Sequence, residues 1–264
     1  PEFAGALFPR PREKAVPGGW RAGKSTEGAA EILIDHHVRT VETKRDGLYW
    51  LVGPDYAQAQ QEFGYSRDWY SKLGLVRGVS EPQEGGRTLV LFDGTHIETK
   101  SAQHPERLGS VAPDGIVVCE AGQCPEETRT MMLGRAMEKR GWITYTGTLE
   151  DEENHQRWAW YPEICEKWAE EPDAEHGAFS LPTWANRSVF PLGEDDPEIV
   201  RMRDLLDEYT FARRIAGKSI GLQFQVYPQL DFRNRLVEMP RGLEVLTSVG
   251  GIDYGTVHPT ALVV

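Results

Sequence analysis

The sequence predicts an α/β fold with a mainly parallel sheet flanked by helices. Three observations predict it. Short apolar runs that read as buried strands alternate with stretches of helical periodicity. A glycine-rich loop, Gly18-Gly19-Trp20-Arg21-Ala22-Gly23, ends in Lys24-Ser25-Thr26 where a helical pattern begins. One Asp-Gly turn joins two β-rich runs, the strongest short-range hairpin signal in the chain.

The elements follow in order. Ala15-Val16 is a weak strand signal broken by Pro17. After the loop, Ala29, Ala30, Ile32, Leu33 and Ile34 supply the apolar face of a helix packed on a sheet. Leu48 to Val52 reads as a buried strand closed by Gly53-Pro54, with Asp55 as N-cap of a helical pattern from Ala57 to Leu73. Thr88 to Phe92 and Thr95 to Thr99 form the hairpin around Asp93-Gly94. Gly115 to Glu120 is a third buried strand ending in an acid, followed by a helix across Pro125 to Arg140 with Met131, Met132, Leu133 and Met137 inward. Trp142 to Thr146 is the next strand, stopped by Gly147-Thr148. Trp158, Trp160 and Trp168 mark a packed excursion between Asp151 and Asp173. One amphipathic helix is expected from Pro197 to Arg214, ended by Gly217, and an extended segment from Leu222 to Tyr227.

Composition narrows the function classes. A chain of 264 residues holds one large domain or a domain with an appendage. No apolar run is long enough to span a membrane, so no membrane partner is expected. Pro1 to Pro11 carry no start methionine and read as an expression scar or a trimmed beginning. Three cysteines (Cys119, Cys124, Cys165) are too few and wrongly spaced for a disulfide framework or zinc site, which points to a reducing compartment. A net charge of −12 argues against nonspecific nucleic-acid affinity over the whole surface, though not against a local basic lining. The basic clusters at Arg129, Arg135, Lys139 and Arg140, and at Arg213, Arg214 and Lys218, are expected to be solvated helix faces.

The chemistry sits in the loop. Gly18 to Ser25 fits G-x-x-x-x-G-K-[ST], a pattern that wraps a polyphosphate in backbone N–H groups. Lys24 can reach the β- and γ-phosphates, and the Ser25 hydroxyl can complete the coordination of Mg²⁺. Alone this predicts nucleotide phosphates and Mg²⁺. Glu120, at the end of the third strand, stands where a carboxylate would orient the attacking water; the alternative is an ion-paired glutamate at a strand end.

These motifs, in their order along the chain, resemble the large terminase subunit of tailed bacteriophages. The loop resembles that family's P-loop, with paired glycines and the internal Arg21. Val117-Val118-Cys119-Glu120-Ala121 resembles its Walker B strand with Glu120 on the catalytic glutamate, and Thr146-Gly147-Thr148 its coupling motif, with Thr146 in the catalytic set. Thr183-Trp184-Ala185-Asn186 and Gly221 to Asp231 resemble later segments, and Gly251-Ile252-Asp253-Tyr254-Gly255 with Pro259-Thr260-Ala261 the first strand of an RNase H-like nuclease.

The resemblance implies a P-loop NTPase of the additional-strand, catalytic-glutamate type. It divides the chain into an ATPase core over 1–188, a lid or linker subdomain over 189–248, and the first nuclease strand over 249–264. It also implies ATP as the nucleotide, and a motor that drives double-stranded viral DNA into a procapsid in the host cytoplasm. Its partners would be the portal, the small terminase subunit and further copies in a homo-oligomeric ring, with a monomer possible in isolation. Arg107 and Arg21 are competing candidates for the arginine finger, Arg107 acting in a neighbour's site and Arg21 as a sensor within its own. Two departures stand out. Cys119 occupies the position of the usual Walker B aspartate, so Cys119→Asp is expected to lower the Mg²⁺ requirement. The chain stops eleven residues after Asp253, so nuclease activity is expected only in a longer chain. The competing readings are a P-loop small-molecule kinase and a nucleotide-gated scaffold without turnover.

Overall fold

The structure is a computed structural model that describes residues 11–42, 45–103, 108, 111–149, 160–218, 251–253 and 261–263. The chain divides into two compact units, 1–220 and 221–264.

The first unit is built on an eight-stranded sheet in the order β3-β4-β5-β2-β6-β7-β1-β8. Its strands are β1 (Glu13–Pro17), β2 (Leu48–Gly53), β3 (Val76–Ser80), β4 (Thr88–Leu91), β5 (His96–Ser101), β6 (Gly115–Val118), β7 (Trp142–Gly147) and β8 (His176–Ala178). From β5 across to β8 every pairing is parallel. β3, β4 and β5 form an antiparallel meander at the other edge. The predicted hairpin is its β4–β5 corner, with Leu89 opposite Ile97 and Gly94 at φ 91° in the turn. β7 lies between β1 and β6, which is the inserted strand expected of the additional-strand class.

Side-chain alternation along the central strands feeds two cores. One face gathers Ala15, Trp50, Val52, Ile116, Val118, Ile143 and Tyr145. It is covered by α3 (Glu126–Met137) and α4 (Trp160–Glu170), with Trp160 and Trp168 buried. The other gathers Tyr49, Leu51, Val117 and Cys119 under α1 (Lys24–Glu42) and α2 (Gln60–Lys72). In α1 the buried stripe is Ala29, Ile32 and His36, and Ile34 turns outward at 38% exposure, against expectation. Two residues from Ile32 is a turn of about 200°, the opposite side of the helix. Met137 likewise faces solvent, because the stripe of α3 is Thr128, Met132 and Ala136.

The expected helix from Pro197 to Arg214 is two helices, α5 (Pro197–Leu205) and α6 (Glu208–Arg214). The cause is Asp207, whose carboxylate accepts from Thr210 N at 2.9 Å and so starts a new helix as its N-cap. Arg213 is buried with its guanidinium against the Tyr209 ring, and Arg129 reaches Glu13 at 3.2 Å across the Trp168 ring. Neither is the solvated charge expected. All three cysteines are free and buried. No described helix is long and apolar enough to cross a membrane. Trp158 and the segment Leu222 to Tyr227 lie outside the described residues.

In the second unit β9 (Gly251–Asp253) pairs antiparallel with β10 (Ala261–Val263), Ile252 opposite Leu262.

Asp207→Ala should cost about 1 kcal/mol and lower the unfolding midpoint by roughly 2–4 °C. Thermal unfolding measures it, and an unchanged midpoint would mean that the cap is not what divides the two helices.

Candidate functional site: a phosphate-loop cleft

Open parallel sheets place their ligand crevice beyond the carboxyl ends of the strands. Here the loop after β1, Glu120 after β6 and Thr148 after β7 meet at that end around one cleft of about 430 Å³. The opposite end is closed by ion pairs, Arg39 and Lys139 both holding Asp114 at 3.0 Å.

One wall is the loop and the first turn of α1, Trp20 to Thr26. Gly23 has φ 103°, which only glycine adopts without strain. Gly19 is fixed by close approach: a Cβ there would stand 2.3 Å from both Ile215 O and Thr183 Oγ1. Distant segments hold the loop from outside. Gly18 N donates to Gly147 O (2.9 Å), Gly19 N to Leu181 O (3.0 Å) and Trp20 N to Arg214 O (2.7 Å). Thr183 Oγ1 donates to Trp20 O and Asn186 Nδ2 to Arg21 O, each at 2.8 Å. With those loop groups engaged outward, the N–H groups of the first helical turn, ahead of the Glu27 N to Gly23 O bond, form the anion-binding end of the helix. Lys24 Nζ donates to Gly18 O (3.3 Å) and Gly19 O (3.0 Å), which puts its charge inside the loop.

Glu120 stands on the facing wall. Its backbone is left-handed, φ 49°, as is that of Arg21 at φ 59°. Two non-glycine residues held in this costly conformation on one cleft mark a place where shape is over-determined by its surroundings. Thr146 is buried beneath the cleft, its hydroxyl donating to Val118 O at 3.4 Å. It is Thr148, two residues on, that reaches the cleft wall. Arg107 lies outside the described residues.

A third wall comes from α2, where Gln61 accepts from the Ser25 hydroxyl at 3.2 Å and Tyr65 follows one turn later. Its neighbour Glu62 is buried against Ser25 and Cys119. Burial raises its carboxyl pKa, with the negative charge of Glu120 adding and hydrogen bonding to Ser25 and Cys119 opposing. Burial, then the charge of Glu62, pushes the Cys119 thiol well up, so that it stays neutral. Sequence reading missed Gln61 and Glu62. The available signal was an acid beside Phe63 on the stripe that continues through Ser66 and Tyr70.

The fold that carries this cleft has known counterparts. The ATPase domain of the Thermus phage P74-26 large terminase superposes with TM-score 0.61 over 82% of this chain and 92% of that one, at 15% identity. The fold is that of large terminase ATPase domains. The large terminase of a second, thermophilic bacteriophage, in complex with ADP, matches with TM-score 0.61 at 14% identity, over 99% of this chain and 62% of its own. The same protein in complex with ATP-γ-S gives 0.59. The HK97 bacteriophage large terminase gives 0.56 at 12% identity, over 79% of this chain and 47% of that one. The chain thus spans about three fifths of the thermophilic phage's terminase and about half of the HK97 one. No protein-family profile and no curated protein matches the sequence.

Gly19→Ala should displace the loop and weaken nucleotide binding about fivefold or more, since overpacking at fixed backbone costs about 1–3 kcal/mol. Titration with ATP beside thermal unfolding checks it. Parent-like affinity would show that the loop tolerates movement away from Thr183 and Ile215.

Proposed function

We propose that this chain is the ATP-hydrolysing motor domain of a large terminase subunit, driving double-stranded viral DNA into a procapsid. The observation that carries the reading is one cleft with Lys24 in a phosphate loop on one wall and Glu120 on the other, built on a fold that superposes on a large terminase ATPase domain. The thermophilic phage's terminase, whose complexes with ADP and ATP-γ-S share this fold, supports ATP as the nucleotide.

In this reading the N–H groups of the first turn of α1 and Lys24 bind the β- and γ-phosphates, and Trp20 on the rim, under the Arg214 guanidinium, borders the entrance. Glu120 accepts the proton of the attacking water and aims it in line with the departing phosphate. Ser25, on the cleft wall with the Glu62 carboxyl buried behind it, is the residue that would hold a divalent cation beside the phosphates. Mg²⁺ held there would supply charge neutralisation at the phosphates. Thr148, on the cleft wall, replaces Thr146 as the side chain of the coupling segment that can meet the phosphate end, while Thr146 ties β7 to β6 beneath it. Portal, small subunit and a ring of copies are the partners, with Arg107 as the finger in trans and Arg21 as the sensor in cis. The division at 188 and 248, the nuclease strand in 249–264 and action in the host cytoplasm belong to the same proposal.

Lys24→Ala should reduce ATP affinity roughly 10- to 100-fold, the worth of a hydrogen-bonded charge. Glu120→Gln should keep ATP binding while turnover falls by about 10²–10⁴. Phosphate release with and without DNA measures both. Phosphate transfer to a metabolite would instead favour a kinase, and a Glu120→Gln protein as active as the parent would remove Glu120 from the chemistry.

Arg107→Ala should bind ATP normally yet hydrolyse it about 10³-fold more slowly when assembled, the scale of an arginine finger. Mixing it with Glu120→Gln protein should restore part of the activity, because some contacts then pair an intact Glu120 with an intact Arg107. A silent mixture in a demonstrated assembly would transfer the role to Arg21.

A further inference from the structure

Helix α2 carries a carboxylate where an apolar side chain would be expected. Its buried stripe runs Glu62, Phe63, Ser66, Tyr70, and Glu62 is only 2% exposed. Its Oε2 receives no hydrogen bond among the described residues. A buried carboxylate with one oxygen left unpaired is costly, so a ligand that would complete it is worth seeking. The Ser25 hydroxyl and the Cys119 thiol lie within hydrogen-bonding reach of the carboxyl, and Glu120 is the charge it feels. A Cβ built on Gly28 of α1 would stand 3.5 Å from Glu62 Cγ and 2.9 Å from Val117 Cγ1. Glu62 therefore lies in the seam between α1 and β6. Alternation along β6 turns Val117 and Cys119 to that same face. The small neutral thiol leaves room in front of β6, and a carboxylate enters that room from α2.

We infer that Glu62 supplies from α2 the carboxylate that β6 lacks at Cys119, and orients the water shell of the divalent cation bound with the nucleotide at Ser25. The inference rests on the nucleotide-binding reading above. Glu62 is a positioning residue: it acts through cation-bound water and the Ser25 hydroxyl, as acids just outside a metal's own ligands do. The pair of acids expected from an Asp-Glu sequence is then kept as Glu62 and Glu120, contributed by different elements. The expectation for Cys119→Asp is reversed, because a third carboxylate would repel the two already present.

The decisive measurement is the affinity of the 1–264 chain for ATP-γ-S by calorimetry, with saturating MgCl₂ and with EDTA. The ratio of the two affinities isolates the cation's contribution. In the parent Mg²⁺ should tighten binding. In Glu62→Gln the ratio should fall about tenfold or more, the usual cost of losing such a support, while affinity in EDTA holds or rises slightly. Glu62→Gln combined with Cys119→Asp should recover the parent ratio. A parent-like ratio in Glu62→Gln overturns the inference, as does a loss that the double variant fails to restore, or a parent indifferent to Mg²⁺. Should Glu62→Gln fail to fold, Cys119→Asp alone decides: no gain in the Mg²⁺ effect agrees, and a clear gain overturns it. A parent that binds ATP-γ-S in neither buffer brings down the nucleotide reading itself, whereas binding in both with no dependence on Glu62 brings down this inference alone.

Discussion

The cleft depends on contact between backbones at Gly19. The loop can present its inner side to an anion only because its outer side is pressed against Thr183 and Ile215 and hydrogen-bonded to Leu181 and Arg214. These partners come from more than 160 residues downstream, and the turn at Gly217 (φ 64°) lets the chain pass close to Gly18. The left-handed Arg21 follows from the same constraint. Its carbonyl is claimed by Asn186, so its backbone must bend around a fixed point. The loop is thus a surface feature shaped by a second layer of structure behind it.

Charge completes what the backbone begins. Lys24 brings a cation into the loop, and acids approach from two other directions, Glu120 from the end of β6 and Glu62 from α2. Cys119, between them in the sheet, contributes volume and no charge. A site of this kind is specified by the convergence of helices and strands, so the identity of one motif residue matters less than the sum of charge around the cleft.

What could be read in the sequence was what local chemistry encodes. The loop, the strands β2, β6 and β7, the hairpin turn and Glu120 all announce themselves within a few residues, because turn glycines and continuous apolar runs have short-range causes. Features decided by tertiary contact stayed hidden. β3 is a mostly exposed edge strand and β8 has three residues, so neither carries an apolar run to betray it. Glu62 looks like a surface acid until Phe63, Ser66 and Tyr70 are seen to define its face. Thr146 and Thr148 are chemically alike, and only the end of β7 after Gly147 sends one below the cleft and the other to its wall. Asp207 was legible in principle, as a cap inside a helical pattern, but the continuing apolar spacing around it masked the break.

The three cysteines lend the molecule an unplanned convenience. Each is buried and free, and desolvation pushes every one of their thiols above its ordinary pKa. Since the thiolate is the reactive form, the native surface is close to inert toward maleimides and mild oxidants. A single cysteine introduced at an exposed position, such as Leu205 at the end of α5, would then accept a dye almost alone. The wild-type thiols could stay in place, leaving Cys119 undisturbed beside the cleft, and optical reporters on the segment behind the loop could follow its motion in an otherwise native chain.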